Sequence, residues 1–314
     1  MRSKNRRCNN CFHRKYPVAI PESQLDKWSK QGSVAQSRDT YATVKNMLDN
    51  SGSPYYTKSF ESFLQGSYAN DTNVYRDSDV DVVMRLDSIW YHDAYQLPEN
   101  QYQAFKRAYP SEASYSLPEF KTQVAAWLKQ KFNGVTLGSK AIFIPGSGSR
   151  RDCDVLVCAQ FKYYYLFRSM NDENYAEGIC FFLNDGTRIV NFPKQHSDNC
   201  TAKHKATSQW FKPTVRIYKN MRNHLIDSNM LNDGIAPSYF IEGMLWNVPA
   251  DKFGKSYDDT FVATFNFLVN ADRSTFKCAN GIHPLLQTGS HVSWSPANCQ
   301  AYLDALRELW NNWH

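Results

Sequence analysis

The stretch Ser78-Asp79-Val80-Asp81-Val82-Val83-Met84 places the tightest limit on the fold. Its β-branched content predicts a strand. Side chains alternate along a strand, so Asp79 and Asp81 share one face while Val80 and Val82 enter a core. Two neighbouring carboxylates repel one another and are costly to keep ionised. A hard cation offsets that cost, and magnesium prefers oxygen ligands of this kind. Eleven residues earlier stands Gly66-Ser67. A glycine lets backbone approach a phosphate closely. The Ser67 hydroxyl and adjacent N–H groups, if they open a helix, form an anion site.

A pair of metal ions calls for a third carboxylate, and Arg151-Asp152-Cys153-Asp154-Val155-Leu156-Val157 offers two. Asp152 and Asp154 are expected on one face of a strand. Asp154 opens the apolar run as Asp81 does and is preferred, both as metal ligand and as acceptor of a hydroxyl proton. Further along, Lys212, Arg216, Lys219 and Asn223 recur at helical spacing and form a polar stripe. Such a stripe is either a solvated face or, near carboxylates and metal, a seat for a triphosphate tail. Pro237-Ser238-Tyr239-Phe240 then opens another helix, with Ser238 as its expected N-cap and a possible phosphate donor. Tyr239 is either a core ring or a platform for a base.

Elsewhere the pattern reads as a helix over 21–50 that Gly32-Ser33 can interrupt, and a short extended or helical piece over 59–65. A helix is expected over 118–132 and a strand over 153–159. Two strands, 179–183 and 187–192, flank the turn Asn184-Asp185-Gly186. Helices are expected over 208–227, 238–248, 258–270 and 297–312. Strands mixed with helices first, and helices alone afterwards, indicate an α+β fold. The expected divisions are a basic tail over 1–20, a catalytic domain over 21–205 and a helical domain over 206–314.

The 314 residues suffice for one large core or two modest ones. No apolar run approaches the roughly 20 residues of a membrane span, and the basic N-terminus lacks the apolar stretch of a secretory signal. A cytoplasmic protein is expected. The net charge of +6 suits a handler of polyanions without requiring one. The eight irregularly spaced cysteines are read mostly as buried thiols. Cys8, Cys11 and His13 could begin a zinc site, but no second half with finger spacing follows.

Taken in order, these pieces resemble the polymerase-β-like nucleotidyltransferases, and among them the cGAS/DncV-like (CD-NTase) enzymes of bacterial anti-phage signalling. The resemblance rests on Gly66-Ser67-Tyr68, Asp79-Val80-Asp81-Val82, Asp154-Val155-Leu156-Val157, the run 191–196, Phe211 to Asn220, and Pro237-Ser238-Tyr239. It implies a bilobal fold: a nucleotidyltransferase sheet with a long N-terminal helix, and a C-terminal helical bundle. It implies a template-independent enzyme that joins two or three nucleoside triphosphates into a cyclic messenger, which reaches a downstream effector by diffusion (the CBASS arrangement). Asp79, Asp81 and Asp154 would hold two Mg2+ ions, with Mn2+ able to substitute. Gly66, Ser67, Lys219, Ser238 and Arg216 would bind the triphosphate, and Tyr239 would stack on a base. His196 and Cys200 lack the adjacent cysteines of the animal member's zinc ribbon, so no DNA activator is expected. A monomer with no membrane partner is expected.

The same residues admit other readings. One is a synthetase of linear oligonucleotides, or an enzyme that extends RNA 3′ ends. Another is an inactive nucleotide sensor, although such proteins often lose a metal aspartate and all are present here. An antibiotic-modifying transferase shares the Gly-Ser and Asp-x-Asp pieces but fits the later ones less well. Base choice and linkage are not legible.

Overall fold

A computed structural model describes residues 20–32, 34–75, 79–110 and 113–313. The cluster Cys8, Cys11 and His13 lies outside them. The N-terminal half contains α1 (Glu22–Ser29), α2 (Ala35–Leu48), β1 (Phe60–Gln65), α3 (Gly66–Ala69), β2 (Val80–Asp93), α4 (Glu99–Ala108) and α5 (Leu117–Lys131). Strands β3 (Thr136–Leu137), β4 (Ile142–Ile144), β5 (Cys153–Ser169), β6 (Asp172–Phe182) and β7 (Arg188–Asn191) follow. The remainder is helical: α6 (Pro193–Ala206), α7 (Phe211–Asp227), α8 (Ser238–Trp246), α9 (Tyr257–Asn270) and α10 (Pro296–Asn311), with two short 3₁₀ turns. The protein is α+β, as its pattern predicts.

The chain packs as two compact units. The sheet unit takes residues 34–69 and 79–194, and the helical unit takes 20–32, 70–75 and 195–313. The contacts therefore divide the chain elsewhere than at 205/206. The reason lies in the core of the helical unit, where Cys200 of α6 and Ile20 and Leu25 at the start of the chain are buried with Val215, Tyr218, Leu225, Phe261 and Leu306.

In the sheet unit the strand order is β1-β2-β5-β4-β3, with β6 on the far half of β5 and β7 beside β6. β2 and β5 run parallel and the other pairs are antiparallel. Val80, Val82, Met84, Cys153, Val155 and Val157 enter one core with Val44 and Leu48 of α2 and Phe120, Val124 and Leu128 of α5. The alternation in residues 80–84 resolves as expected: Val80, Val82 and Met84 enter the core and Asp81 does not.

Several elements differ in extent. Lys30 to Val34 separates α1 from α2, at the expected interruption. β2 and β5 run well beyond their apolar starts because α4 covers their far ends: Phe105 packs on Tyr164 and Phe167. The Asn184-Asp185-Gly186 turn forms with Gly186 at φ +84°, a left-handed conformation favouring glycine. No helix among the described residues is long and apolar enough to cross a membrane.

Candidate functional site

The acidic group in the sheet unit is assembled by strand register. Asp81 of β2 stands opposite Asp154 of β5 and Gln65 of β1, and Asp154 stands opposite Phe143 of β4. Adjacent strands lie about 4.8 Å apart, so Asp81 and Asp154 are immediate neighbours on one face. Asp79 is exposed just ahead of β2, while Asp81 and Asp154 are half-buried. Gly66 explains how β1 can turn here. It sits at φ +74°, and a Cβ on it would collide with the Asp81 carboxylate. Ser67 follows in α3, a single turn of helix, so any anion it meets is bound by hydroxyl and backbone rather than by a long helix dipole.

The two downstream aspartates differ in register and in hydrogen bonding. Asp152 immediately precedes β5. Its carboxylate accepts from the Gly146 N–H at 2.6 Å, and its carbonyl accepts from the Val80 N–H. Burial, with Asp152 adding to it, pushes the Asp154 carboxyl up from its ordinary value. Cys153 is a spectator: burial, reinforced by Asp81, Asp154 and Asp79, pushes its thiol up to about 12.

In the helical unit the basic stripe is not a solvated face. Lys212, Lys219 and Asn223 are buried. Lys219 is 0% exposed, and its three ammonium hydrogens are matched by Thr72 O at 3.2 Å, Thr72 Oγ1 at 3.0 Å and Glu242 Oε1 at 2.7 Å. Glu242 also accepts from Asn70 Nδ2, Thr72 Oγ1 and His196 Nε2. Burial alone would raise the Glu242 carboxyl, but Lys219 and His196 outweigh it and hold it well below the carboxylate range. Lys212 pairs with Asp71 at 2.9 Å. Arg216 donates Nε to Ser29 O and Nη1 to Asp71 O, which leaves Nη2 unspent among the described residues.

Ser238 is the first residue of α8 and not its N-cap, which is Pro237 with extended backbone. The Ser238 hydroxyl accepts from Arg222 Nη1 at 3.1 Å. Tyr239 stacks one face on His196, with centroids 4.5 Å apart and planes inclined by 22°, and its hydroxyl accepts from Asn280 Nδ2. The structure thus gathers Lys219, Tyr239 and, less directly, Ser238 and Arg216 within the helical unit. It gathers Gly66, Ser67, Asp79, Asp81 and Asp154 at one end of the sheet.

A family model of the cGAS/DncV-like nucleotidyltransferase C-terminal helical domain matches residues 198–311. The cyclic UMP-AMP synthase of Rhodothermus marinus is 35% identical over 302 residues, which cover 94% of this chain and 99% of that protein. The chain belongs to the cGAS/DncV-like nucleotidyltransferases. The cyclic nucleotide synthase CdnE01 of Staphylococcus haemolyticus is 31% identical, over 94% of this chain and all of that protein. The solved structure of the Rhodothermus marinus CdnE synthase with Apcpp and Upnpp superposes with a TM-score of 0.83, over 94% of this chain and 97% of that one.

This nucleotidyltransferase is therefore an enzyme of the cyclic-oligonucleotide-synthase type, in a family that generally depends on metal. The acidic group fits such a metal. Its donors are all carboxylate oxygens, as magnesium prefers, and the missing Gly66 side chain leaves the Asp81 carboxylate room. A second trio, His196, Cys200 and Glu242, has ligand atoms within 4.8 Å of one another and is entirely buried. It does not fit a cation. The Glu242 oxygens are already committed to four donors, one of them the Lys219 ammonium, and burial pushes the Cys200 thiol well up.

Sequence reasoning missed Glu242, Thr72 and Asn70. Glu242 reads as one acidic residue in an otherwise apolar helix, four residues after Ser238. That isolation was the available signal, because a lone carboxylate on a buried helix needs partners.

Proposed function

We propose that this enzyme makes a cyclic dinucleotide from ribonucleoside triphosphates, as a messenger in CBASS-type defence. The observation that carries the reading is the Asp81–Asp154 register pair over Gly66, in a chain that matches cyclic dinucleotide synthases along nearly its whole length. The named relatives differ in their bases: UMP-AMP, dipyrimidine, dipurine and GMP-AMP. Base identity is therefore a matter for the assay.

In this reading Asp79, Asp81 and Asp154 hold two Mg2+ ions, which supply positive charge to the attacking and leaving oxygens. The residues offered to the triphosphate are Ser67 from the sheet unit and Ser238, Arg216 and Lys219 from the helical unit. Tyr239 stacks on a nucleobase. A sugar hydroxyl of one nucleotide attacks the α-phosphorus of another; the new P–O bond forms as the bond to pyrophosphate breaks. Asp154 takes the hydroxyl proton and passes it to solvent. A second such transfer closes the ring.

Incubation with Mg2+ and ATP, GTP, CTP and UTP, then phosphatase and mass spectrometry, tests this. A phosphatase-resistant species whose mass is two nucleoside monophosphates less two waters is expected. Linear products alone would overturn cyclisation. Asp79→Asn with Asp81→Asn is expected to abolish product at unchanged melting temperature, since these side chains serve the metal rather than the core. Full activity in that variant would remove the metal assignment.

A further inference from the structure

We propose that Asp71 is a positioning residue for nucleotide binding: clamped by Lys212 and Arg216, it fixes one end of the single-turn helix that carries Ser67. The inference rests on the role proposed above for Ser67.

Ser67 stands in α3, a single helical turn. One turn does not hold its own shape, because helix formation has a costly nucleus. The place of Ser67 is therefore set by whatever holds the two ends of α3. At its start, Gly66 at φ +74° fits beside the Asp81 carboxylate. At its end the chain passes directly into 70–75, a stretch that packs with the helical unit.

That stretch is irregular, yet Asn70, Thr72, Asn73 and Val74 are buried in it. Asn70 and Thr72 donate to Glu242 of α8, and Thr72 accepts from Lys219 of α7. Just beyond α1, Gln31 Nε2 donates to Asn73 Oδ1 at 2.8 Å and the Gly32 N–H donates to Asn73 O at 3.1 Å. Gly32 lies so near that a Cβ on it would stand 2.8 Å from the Val74 carbonyl carbon.

Asp71 is the exception in this stretch. Its side chain is 61% exposed, and its backbone is left-handed at φ +53°. Asn70 before it and Thr72 after it reach the same carboxylate, so the chain bends at Asp71 between two fixed points. Two cations of α7 hold the bend. Lys212 Nζ meets Asp71 Oδ2 at 2.9 Å, its one acceptor among the described residues, and Arg216 Nη1 donates to the Asp71 carbonyl at 2.5 Å. Arg216 Nε also donates to Ser29 O at the end of α1. An ion pair with so exposed a partner contributes little to stability. What it fixes is the path of the chain, one helical turn after Ser67. A donor held in place before the ligand arrives lowers the ordering cost of binding.

Two variants of the full chain remove the clamp from either side. Asp71→Asn loses the charge and keeps a side chain that tolerates left-handed backbone. Lys212→Met loses the ammonium and keeps an apolar stem. Both are expected to melt near the wild-type temperature. In each, amide hydrogen exchange over 66–69 in the nucleotide-free protein is expected to quicken about tenfold. With Mg2+ and ATP, GTP, CTP and UTP, the nucleotide KM is expected to rise about fivefold while kcat changes less. The double variant is expected to be no worse than either single one, since both remove the same pair. Gly32→Ala presses on Val74 without touching a charge; the same rise in KM is expected, and it carries the test if the other variants do not fold.

If Lys212 bound phosphate directly, Asp71→Asn would release it and lower KM, and that result overturns the positioning role. Wild-type exchange and KM in Asp71→Asn and Gly32→Ala overturn it too, as do losses that multiply in the double variant. Quickened exchange with an unchanged KM overturns the link to nucleotide binding. A wild-type chain that consumes none of the four nucleotides sinks the proposed function, and the exchange measurement then decides by itself whether Asp71 holds α3.

Discussion

Gly66 shows how far a single residue can govern the acidic group. Its φ of +74° and the Asp81 carboxylate lying where a Cβ would be leave glycine as the one residue that fits. Gly66→Ala therefore combines left-handed strain, about 1–2 kcal/mol, with displacement of a proposed metal ligand. It is expected to lower kcat at least tenfold, well beyond what its loss of stability in chemical denaturation accounts for. Asp154 provides a pH-dependent prediction. Its carboxyl is raised in the folded protein, so the folded state favours the protonated form. Whatever stability this brings is present below the ordinary carboxylate range and is lost as pH rises through the folded value. Near neutral pH the ionised group therefore opposes folding. Asp154→Asn is expected to raise the melting temperature of the metal-free protein at pH 7, an advantage that fades in acid. Added Mg2+ should then stabilise the wild type but not the variant; scanning calorimetry at two pH values, with and without the ion, checks both.

At the scale of elements, the β2–β5 pair carries the chemistry and α2 and α5 hold it from behind. Phe120 of α5 is fully buried, with its ring 5.4 Å from that of Tyr55 and 6.4 Å from that of Phe60. Phe120→Ala is expected to cost about 3–5 kcal/mol in equilibrium unfolding. The residues that start these elements were legible: the Val80–Met84 alternation, the apolar run from Val155, the Asn184-Asp185-Gly186 turn and the stripe on α5 all resolve as read. The far halves of β2 and β5 and the whole of α4 were not. Residues 160–169 mix tyrosines with polar residues, and their strand character comes from pairing with β6 and from the Phe105, Tyr164 and Phe167 contacts, which are long-range.

For the whole molecule, the helical unit is built from three stretches of chain: 20–32, 70–75 and 195–313. Its core needs Leu25 from α1, and its central carboxylate needs Asn70 and Thr72 from the middle stretch. The fragment 195–314, expressed alone, is therefore expected to keep helical circular dichroism but to give poorly dispersed amide signals in NMR and no cooperative melt, because the buried Glu242–Lys219 pair would lose Asn70 and Thr72. A cooperative, well-dispersed fragment would show that the other two stretches are dispensable.

The sequence by itself determined the mixture of strands followed by helices, the Asp79–Asp81 face, the glycine before Ser67 and the family to which the chain belongs. The first three are local and follow from side-chain alternation, β-branching and short spacings; the family shows as a resemblance carried by the order of motifs from Gly66 to Tyr239. Only the tertiary structure shows how the two aspartates differ: Asp154 stands opposite Asp81, and Asp152 accepts from the Gly146 N–H. It alone turned the basic stripe of α7 inward and joined Lys219, His196, Thr72 and Asn70 on Glu242. Those partners lie 23 to 172 positions away from Glu242 in sequence. No spacing rule links residues so far apart, and only the packing of three helices and one returning segment brings their donors to a common carboxylate.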